Sequence, residues 1–585
     1  MFKSLSAFSA ILVLAACAGD TTTPGDETGE GEAVAGAPAL LLPLPDATSP
    51  EITEEDLAVR IEALSDDVFE GRGPGSETGE KAAEWIAAEM ERIGLEPGGE
   101  NGSWFQTVGM VEQSVDETSS SLTFSGGNSG RDFPTTLKED SVIWTKHQDQ
   151  TDISFEGSEM VFVGYGVVAP EYGWNDYAGL DVEGKTVVIL VNDPGFATDD
   201  PALFKGKAMT YYGRWTYKYE EAARQGATAA IVVHETAPAA YGWDVVANSW
   251  SGAQADLVRA NGGADRALLE GWITVETARK LFAEADLDFE EMKFEAKQPG
   301  FTPVDMGGLT ASGEIHQTVT QATSRNVIGV LPGNQAPDEY MLFTAHWDHL
   351  GKKSEERTGA PGEDFYRDDI FNGAVDNATG SAALLEIAEA MAAAEHPRSA
   401  LFVSVTLEES GLLGSAYYAE NPTVPMNQIV AGINMDGMLP MGRSKDMVVV
   451  GYGASELEDR LAAVLETQDR VIQPDPNPQA GYFYRSDHIS FAKQGVPMLY
   501  ADGGQDLLDG GVAAGEAAAT VYTVQRYHKP MDEYSTSWDL SGMVEDISAL
   551  FTVGRDIADS GDWPEWYDGN EFKAIREASL AEAEE

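Results

Sequence analysis

Apolar positions change their spacing along the chain, and the changes divide it. From Glu54 the apolar residues fall at helical intervals, with Ile61 and Leu64 on one face. A longer amphipathic helix is predicted over 79–93, with Gly94 as its stop. Between the two, Phe69-Glu70-Gly71-Arg72-Gly73-Pro74-Gly75 reads as a loop. From about 155 to 295 the pattern becomes short apolar runs between turn residues, such as Met160-Val161-Phe162-Val163, 186–191 and 229–233, with one helix at 217–225. That pattern predicts a compact β-rich unit with a few helices. From about 302, strands (339–345, 400–407, 428–434, 447–450) alternate with helices (380–394, 412–419, 456–467). This alternation predicts an α/β fold with a doubly wound sheet flanked by helices.

Length and charge narrow the function. At 585 residues the chain is too long for one core, so two or more domains are expected. It carries 98 acidic and 37 basic residues, a formal net charge of −61. Such a surface repels nucleic acid and argues against a nucleic-acid partner.

At the N-terminus, Lys3 precedes an apolar run and the small residues before Cys17, which predicts a signal peptide over 1–16. Leu14-Ala15-Ala16-Cys17 resembles the bacterial lipobox, which implies a lipid on Cys17. Cys17 is the only cysteine of the chain, so no disulfide within it can form. Export and anchoring in the cell envelope, at the outer membrane, are expected. Residues 17–49, rich in Gly, Thr, Pro and Ala, then form a tether. No later apolar segment is long enough to span a bilayer.

Five segments place metal-ligand residue types just after predicted strands, where open α/β sheets build their sites. They are His346-Trp347-Asp348-His349, the turn Gly373-Ala374-Val375-Asp376-Asn377-Ala378-Thr379-Gly380, Glu408-Glu409-Ser410-Gly411, Met435-Asp436-Gly437 and Ser486-Asp487-His488. Each has a plain alternative. Asp376 could cap a helix, Glu408-Glu409 could be a solvated loop, and a lone histidine could be an ordinary core residue. Adjacent carboxylates after a buried strand repel each other unless a cation neutralises them.

The order of these segments resembles the co-catalytic di-zinc aminopeptidase family, which includes glutamate carboxypeptidase and the transferrin receptor. The resemblance extends to Glu-Glu-x-Gly-Leu-Leu-Gly-Ser from Glu408, to Phe491 after His488, and to Gly71-Arg72 and Gly94-Leu95. It implies a doubly wound mixed sheet of the zinc-exopeptidase type, in two parts, 50–154 and 296–585. Residues 155–295 resemble the protease-associated domain inserted in many members, through Val163-Gly164-Tyr165-Gly166 and Trp174-Asn175-Asp176-Tyr177.

The resemblance implies two zinc ions, with Asp376 bridging, His346 and Asp436 completing one site, and Glu409 and His488 the other. Glu408 would act as general base, and Asp348 would support His346. Tyr484, Arg485 and His528, the last in Tyr527-His528-x-Pro530-x-Asp532, are candidate substrate contacts, while His349 is expected to be structural. The expected partner is a peptide and the expected activity an aminopeptidase, because a carboxylate-rich site suits a free ammonium group. A carboxypeptidase, which would need a cationic pocket, a single-zinc aminoacyl cyclase and a non-catalytic receptor are the alternatives.

Overall fold

A computed structural model describes residues 40–45, 48–353 and 369–584. Cys17, the signal peptide and most of the tether lie outside the described residues. The stretch assigned to the end of the tether is part of the fold from Leu40 onward. Leu40, Leu42 and Leu44 pack on the core, and Trp85 Nε1 donates to the Pro43 carbonyl at 3.3 Å. The three packed leucines bury too much apolar surface to stay solvated.

The first lobe is built on a mixed sheet. Its strands run Ala253–Leu257, Phe105–Val115, Val304–Leu331, Arg398–Val405, Ala336–His346, Ile429–Asn434, Met498–Gly503, Asp446–Val449 and Val471–Pro474. The four from Arg398–Val405 to Met498–Gly503 are mutually parallel. Arg398–Val405 and Ile429–Asn434 are buried at every position. Covered on both faces, they carry continuous apolar runs rather than alternation. Helices Glu54–Leu64, Gly79–Ile93, Gly380–Ala392 and Ser541–Asp559 contribute to one core, while Tyr418, Ile489, Phe491 and Trp566 belong to another. Gly94 closes the second of these helices in the left-handed region at φ 105°.

The second lobe has its own sheet, in the order Arg131–Pro134, Ser121–Gly126, 304–316, Asp152–Phe162, Thr186–Leu190, Ala229–His234, Leu269–Thr274 and Ser141–Trp144. Its cores take in Leu122, Phe124, Ile143 and Ile315, so the lobe reaches well beyond 155–295 on both sides. The strand Val304–Leu331 explains the difference. Its 28 residues pair with the second sheet over 304–316 and with Phe105–Val115 over 317–327, so one strand serves both lobes. Its many Thr, Gln and Ser residues hide it from a hydrophobic pattern. Helix Gly511–Gln525 is likewise not among the elements predicted from the hydrophobic pattern.

Among the described residues, no helix is long and apolar enough to cross a membrane.

Candidate metal centre

The parallel strands of the first lobe deliver their carboxyl ends to one place. His346 is the last residue of its strand and is level with Val405 of the next, three residues before Glu408. Asn434 ends the strand on the other side, two residues before Asp436. Asp376 comes from the turn before helix Gly380–Ala392, where the Asp376–Asn377 peptide is cis.

Two sets of ligand atoms result, each lying within 4.8 Å of one another: His346, Asp376 and Asp436 in one, and His349, Asp376 and Glu409 in the other. Asp376 belongs to both. His346 Nε2 is 3.2 Å from Asp436 Oδ1 and 3.4 Å from Asp376 Oδ1. In the second set His349 Nδ1 is 2.5 Å from Glu409 Oε1, yet neither atom has a hydrogen-bond partner. His528 Nε2 completes this side, 3.2 Å from Asp376 Oδ2 and 3.1 Å from Glu409 Oε2.

The electrostatics are those of a site short of positive charge. Burial pushes the Glu408 carboxyl well above its ordinary range; His346 pulls it back, while Asp436, Glu409 and Asp487 add to the rise. Burial lifts Asp348 to about 8, with His346 pulling it down and Glu409 adding to the lift. Burial likewise lifts Asp487 to about 7, and neither of its oxygens has a hydrogen-bond partner. The imidazoles move oppositely. Burial opposes the charge on His528, but Asp376 and Glu409 outweigh it and raise the ring to about 10. Burial also opposes the charge on His346, and Asp436 and Glu408 lift it well above its usual value. Packed carboxylates, orphaned ligand atoms and imidazoles drawn toward protonation fit divalent cations bound between them.

Four expectations are corrected. His488 is not brought to Glu409. It begins helix His488–Ala492, and its ring lies 4.6 Å from that of Phe483 and 5.0 Å from that of Tyr500, with no partner at either nitrogen. Burial takes it down to about 3, which keeps it neutral. His528 occupies the place expected for it, and His349 lies in the cluster rather than in a supporting role. The carboxylate of Asp348 is 3.9 Å from His346 Nδ1, which instead approaches the main-chain oxygen of Asp348 at 3.1 Å. That carboxylate accepts the Glu408 amide hydrogen at 3.2 Å, so it positions the turn that carries Glu408. Tyr484 is buried, and its hydroxyl donates to Glu571 at 2.5 Å, so it braces the fold rather than facing a substrate.

Residues 326–552 match the model of peptidase family M28. The match covers that stretch of the first lobe and the residues of both ligand sets. Mouse aminopeptidase NAALADL1 is 31% identical over 149 residues, which are 24% of this chain and 17% of that protein. A glutamate carboxypeptidase 2 homolog of Caenorhabditis elegans is 28% identical over 145 residues, 24% of this chain and 16% of the relative. The match thus spans about a sixth of these relatives' length. Among solved structures, an aminopeptidase from Aneurinibacillus sp. strain AM-1 superposes with a TM-score of 0.46 at 18% identity, over 88% of this chain and 96% of that one. A zinc aminopeptidase from Bacillus subtilis gives 0.39 at 16%, over 87% and 95%.

The matched stretch is held in shape by residues both inside and outside it. Asp532 accepts the amides of Val375 at 3.2 Å and Asp376 at 3.1 Å, so the segment that carries His528 is tied to the turn that carries Asp376. Asn377 Oδ1 accepts from Gly380 and Gly437, linking that turn to the Asp436 loop. Ser486 donates to Asp436 Oδ2 at 2.6 Å and accepts from Asn434. The Ser-Asp-His segment therefore contributes its serine to the cluster rather than its histidine. Arg72 lies before the matched stretch. Fully buried, it donates to the carbonyls of Trp347, Leu64, Asn372 and Gly373. Burial lowers its guanidinium to about 10, while Asp376, Asp348, Asp532 and Glu409 support its charge. Gly71 must be glycine there. Its φ is +72°, and a Cβ would sit 2.5 Å from the Phe371 carbonyl oxygen.

Proposed function

We propose that this protein is a metal-dependent exopeptidase that removes N-terminal residues from peptides with two zinc ions. The observation that carries it is the pair of ligand sets sharing Asp376. His346 and Asp436 would complete one zinc site, and Glu409 with His528 the other, leaving His349 beside the second. Bound there, the ions would supply a Lewis acid for the scissile carbonyl and lower the pKa of water.

The chain's own groups have the remaining tasks. Glu408, held by the Asp348 contact to its amide, is placed to take the proton of the attacking water and return it to the leaving amine. Its raised pKa suits a group that must hold a proton between those steps. The surplus of carboxylates around the site favours a substrate that brings a free ammonium group.

One observation favours a second reading, a carboxypeptidase. Arg485, beside Ser486, and Arg214 of the second lobe make no ion pair among the described residues, although the chain is rich in acids. Burial, with the nearby Arg485 adding to it, lowers Arg214 to about 10. Two unpaired guanidinium groups near one another suit a carboxylate. Release of amino acids from unblocked aminoacyl anilides, lost with chelator and with Glu408→Gln, supports the aminopeptidase. Turnover confined to N-blocked peptides, with release from the C-terminus, would replace it with the second reading.

A lipid anchor on Cys17 is also proposed, on the Leu14-Ala15-Ala16-Cys17 motif. Cys17→Ser should release the protein from membranes; unchanged partitioning would remove the proposal.

A further inference from the structure

Between the two lobes lies a cleft of about 400 Å³, within the size range of small-molecule sites. Its charge runs against the rest of the chain. Four basic residues, Arg224, Arg259, Arg266 and Lys493, line it with three acidic ones, whereas the whole chain has 37 basic to 98 acidic. Arg224 and Arg266 come from the second lobe, and Arg259 follows strand Ala253–Leu257, which pairs with Phe105–Val115 of the first. Lys493 comes from the first, just after helix His488–Ala492.

Each guanidinium is held from behind: Arg224 by Glu221 at 2.8 Å, Arg259 by Asp256 at 3.3 Å and Arg266 by Glu270 at 2.7 Å. Such anchoring fixes the forks before a ligand arrives, which lowers the ordering cost of binding. Two of the lining acids are already engaged. Glu220 accepts from the Tyr211 hydroxyl at 2.5 Å and pairs with Lys493 at 3.4 Å. Glu571 accepts from Tyr484 at 2.5 Å and pairs with Lys205 at 3.1 Å. Glu420 is the third acid, at the end of helix Leu413–Glu420. By contrast, the Nε of Arg259 is buried and has no hydrogen-bond acceptor. A buried donor of this kind is normally satisfied. Tyr211 and Phe572 supply aromatic walls.

We propose that this cleft binds a small organic anion, a phosphate ester or a polycarboxylate, whose oxygens bridge Arg224 and Arg266 of the second lobe to Arg259 and Lys493 on the side of the first. The site is separate from the metal centre and does not depend on the activity proposed for it. A ligand there would clamp the lobes together. It would also sit against Glu571, whose partner Tyr484 lies two residues before the Ser486 that holds Asp436.

The test is calorimetric titration and thermal unfolding of the full chain with inorganic phosphate and with citrate, against chloride at matched ionic strength. The comparison is with Arg259→Gln/Lys493→Gln, and with the exposed-lysine control Lys445→Gln. The proposal expects saturable binding of at least one anion, a rise in Tm, and at least a tenfold weaker affinity in the double variant only. No saturable binding of either anion to the wild type, or equal binding by the double variant, would overturn it. A double variant that is unfolded in chloride would be replaced by Arg259→Gln alone, judged by the same tenfold criterion.

Discussion

Replacing Arg72 by methionine should destabilise the protein far more than an average core substitution. The side chain is fully buried and donates to four main-chain carbonyls, of Leu64, Trp347, Asn372 and Gly373. Methionine fills much of the volume but donates to none. A buried polar group left without its partner costs about 1–3 kcal/mol; the Gly373 carbonyl keeps the Ala378 amide, so the other three set an upper range of about 3–9 kcal/mol. Some carbonyls will recover a water or shift, which places the expected loss near the lower end, at about 3–5 kcal/mol. Proteins are typically stable by only about 5–15 kcal/mol, so the variant would be marginal. Urea unfolding followed by fluorescence gives the difference directly. Arg72→Lys keeps the charge beside Asp376, Asp348 and Glu409 but loses the fork, and should recover only part of the loss. A change below about 1 kcal/mol for Arg72→Met would refute the claim that this guanidinium holds the loops beneath the site together.

Other expectations follow from contacts around the same centre and beyond it. Ser486→Ala removes the donor to Asp436 Oδ2 and should weaken zinc binding about 10- to 100-fold, as loss of groups that orient metal ligands does, measured by competition with a chromogenic chelator. For Asp546, burial lifts the carboxyl to about 6 in spite of its ion pair with Arg470. The folded value is above the ordinary one near 3.9, so the folded state holds this proton more tightly. The group's contribution to stability should therefore fall as pH rises from about 4 to 6 and stay level above that. Asp546→Asn should flatten that part of the stability profile, read by urea unfolding across the range; an unchanged slope would show that the carboxyl does not titrate there.

Much of the fold could be read from hydrophobic spacing because burial was one-sided or complete. Helix Gly79–Ile93 kept a clean apolar face, and strand Arg398–Val405 an unbroken apolar run. Val304–Leu331 escaped because one strand divides its pairing between two sheets and carries polar residues along much of its length. The candidate centre was legible where a carboxylate or histidine directly follows a strand, as with His346, Glu409 and Asp436. It failed at the second imidazole. Ser-Asp-His and Tyr-His-x-Pro-x-Asp are both short and plausible, and chain order does not say which ring turns toward Glu409. The apolar residues Ile489 and Phe491 after His488 were the available sign of a core helix. Asp532 after His528 was the sign of a segment bound to the Asp376 turn.

The central claim is that His528, and not His488, faces the second metal. The most direct test is zinc titration of chelator-stripped wild type, His528→Ala and His488→Phe, with bound zinc counted by mass spectrometry under native conditions. The account predicts two zinc ions in the wild type and in His488→Phe, and loss of one in His528→Ala. Two ions retained by His528→Ala, with one lost from a folded His488→Phe, would contradict it.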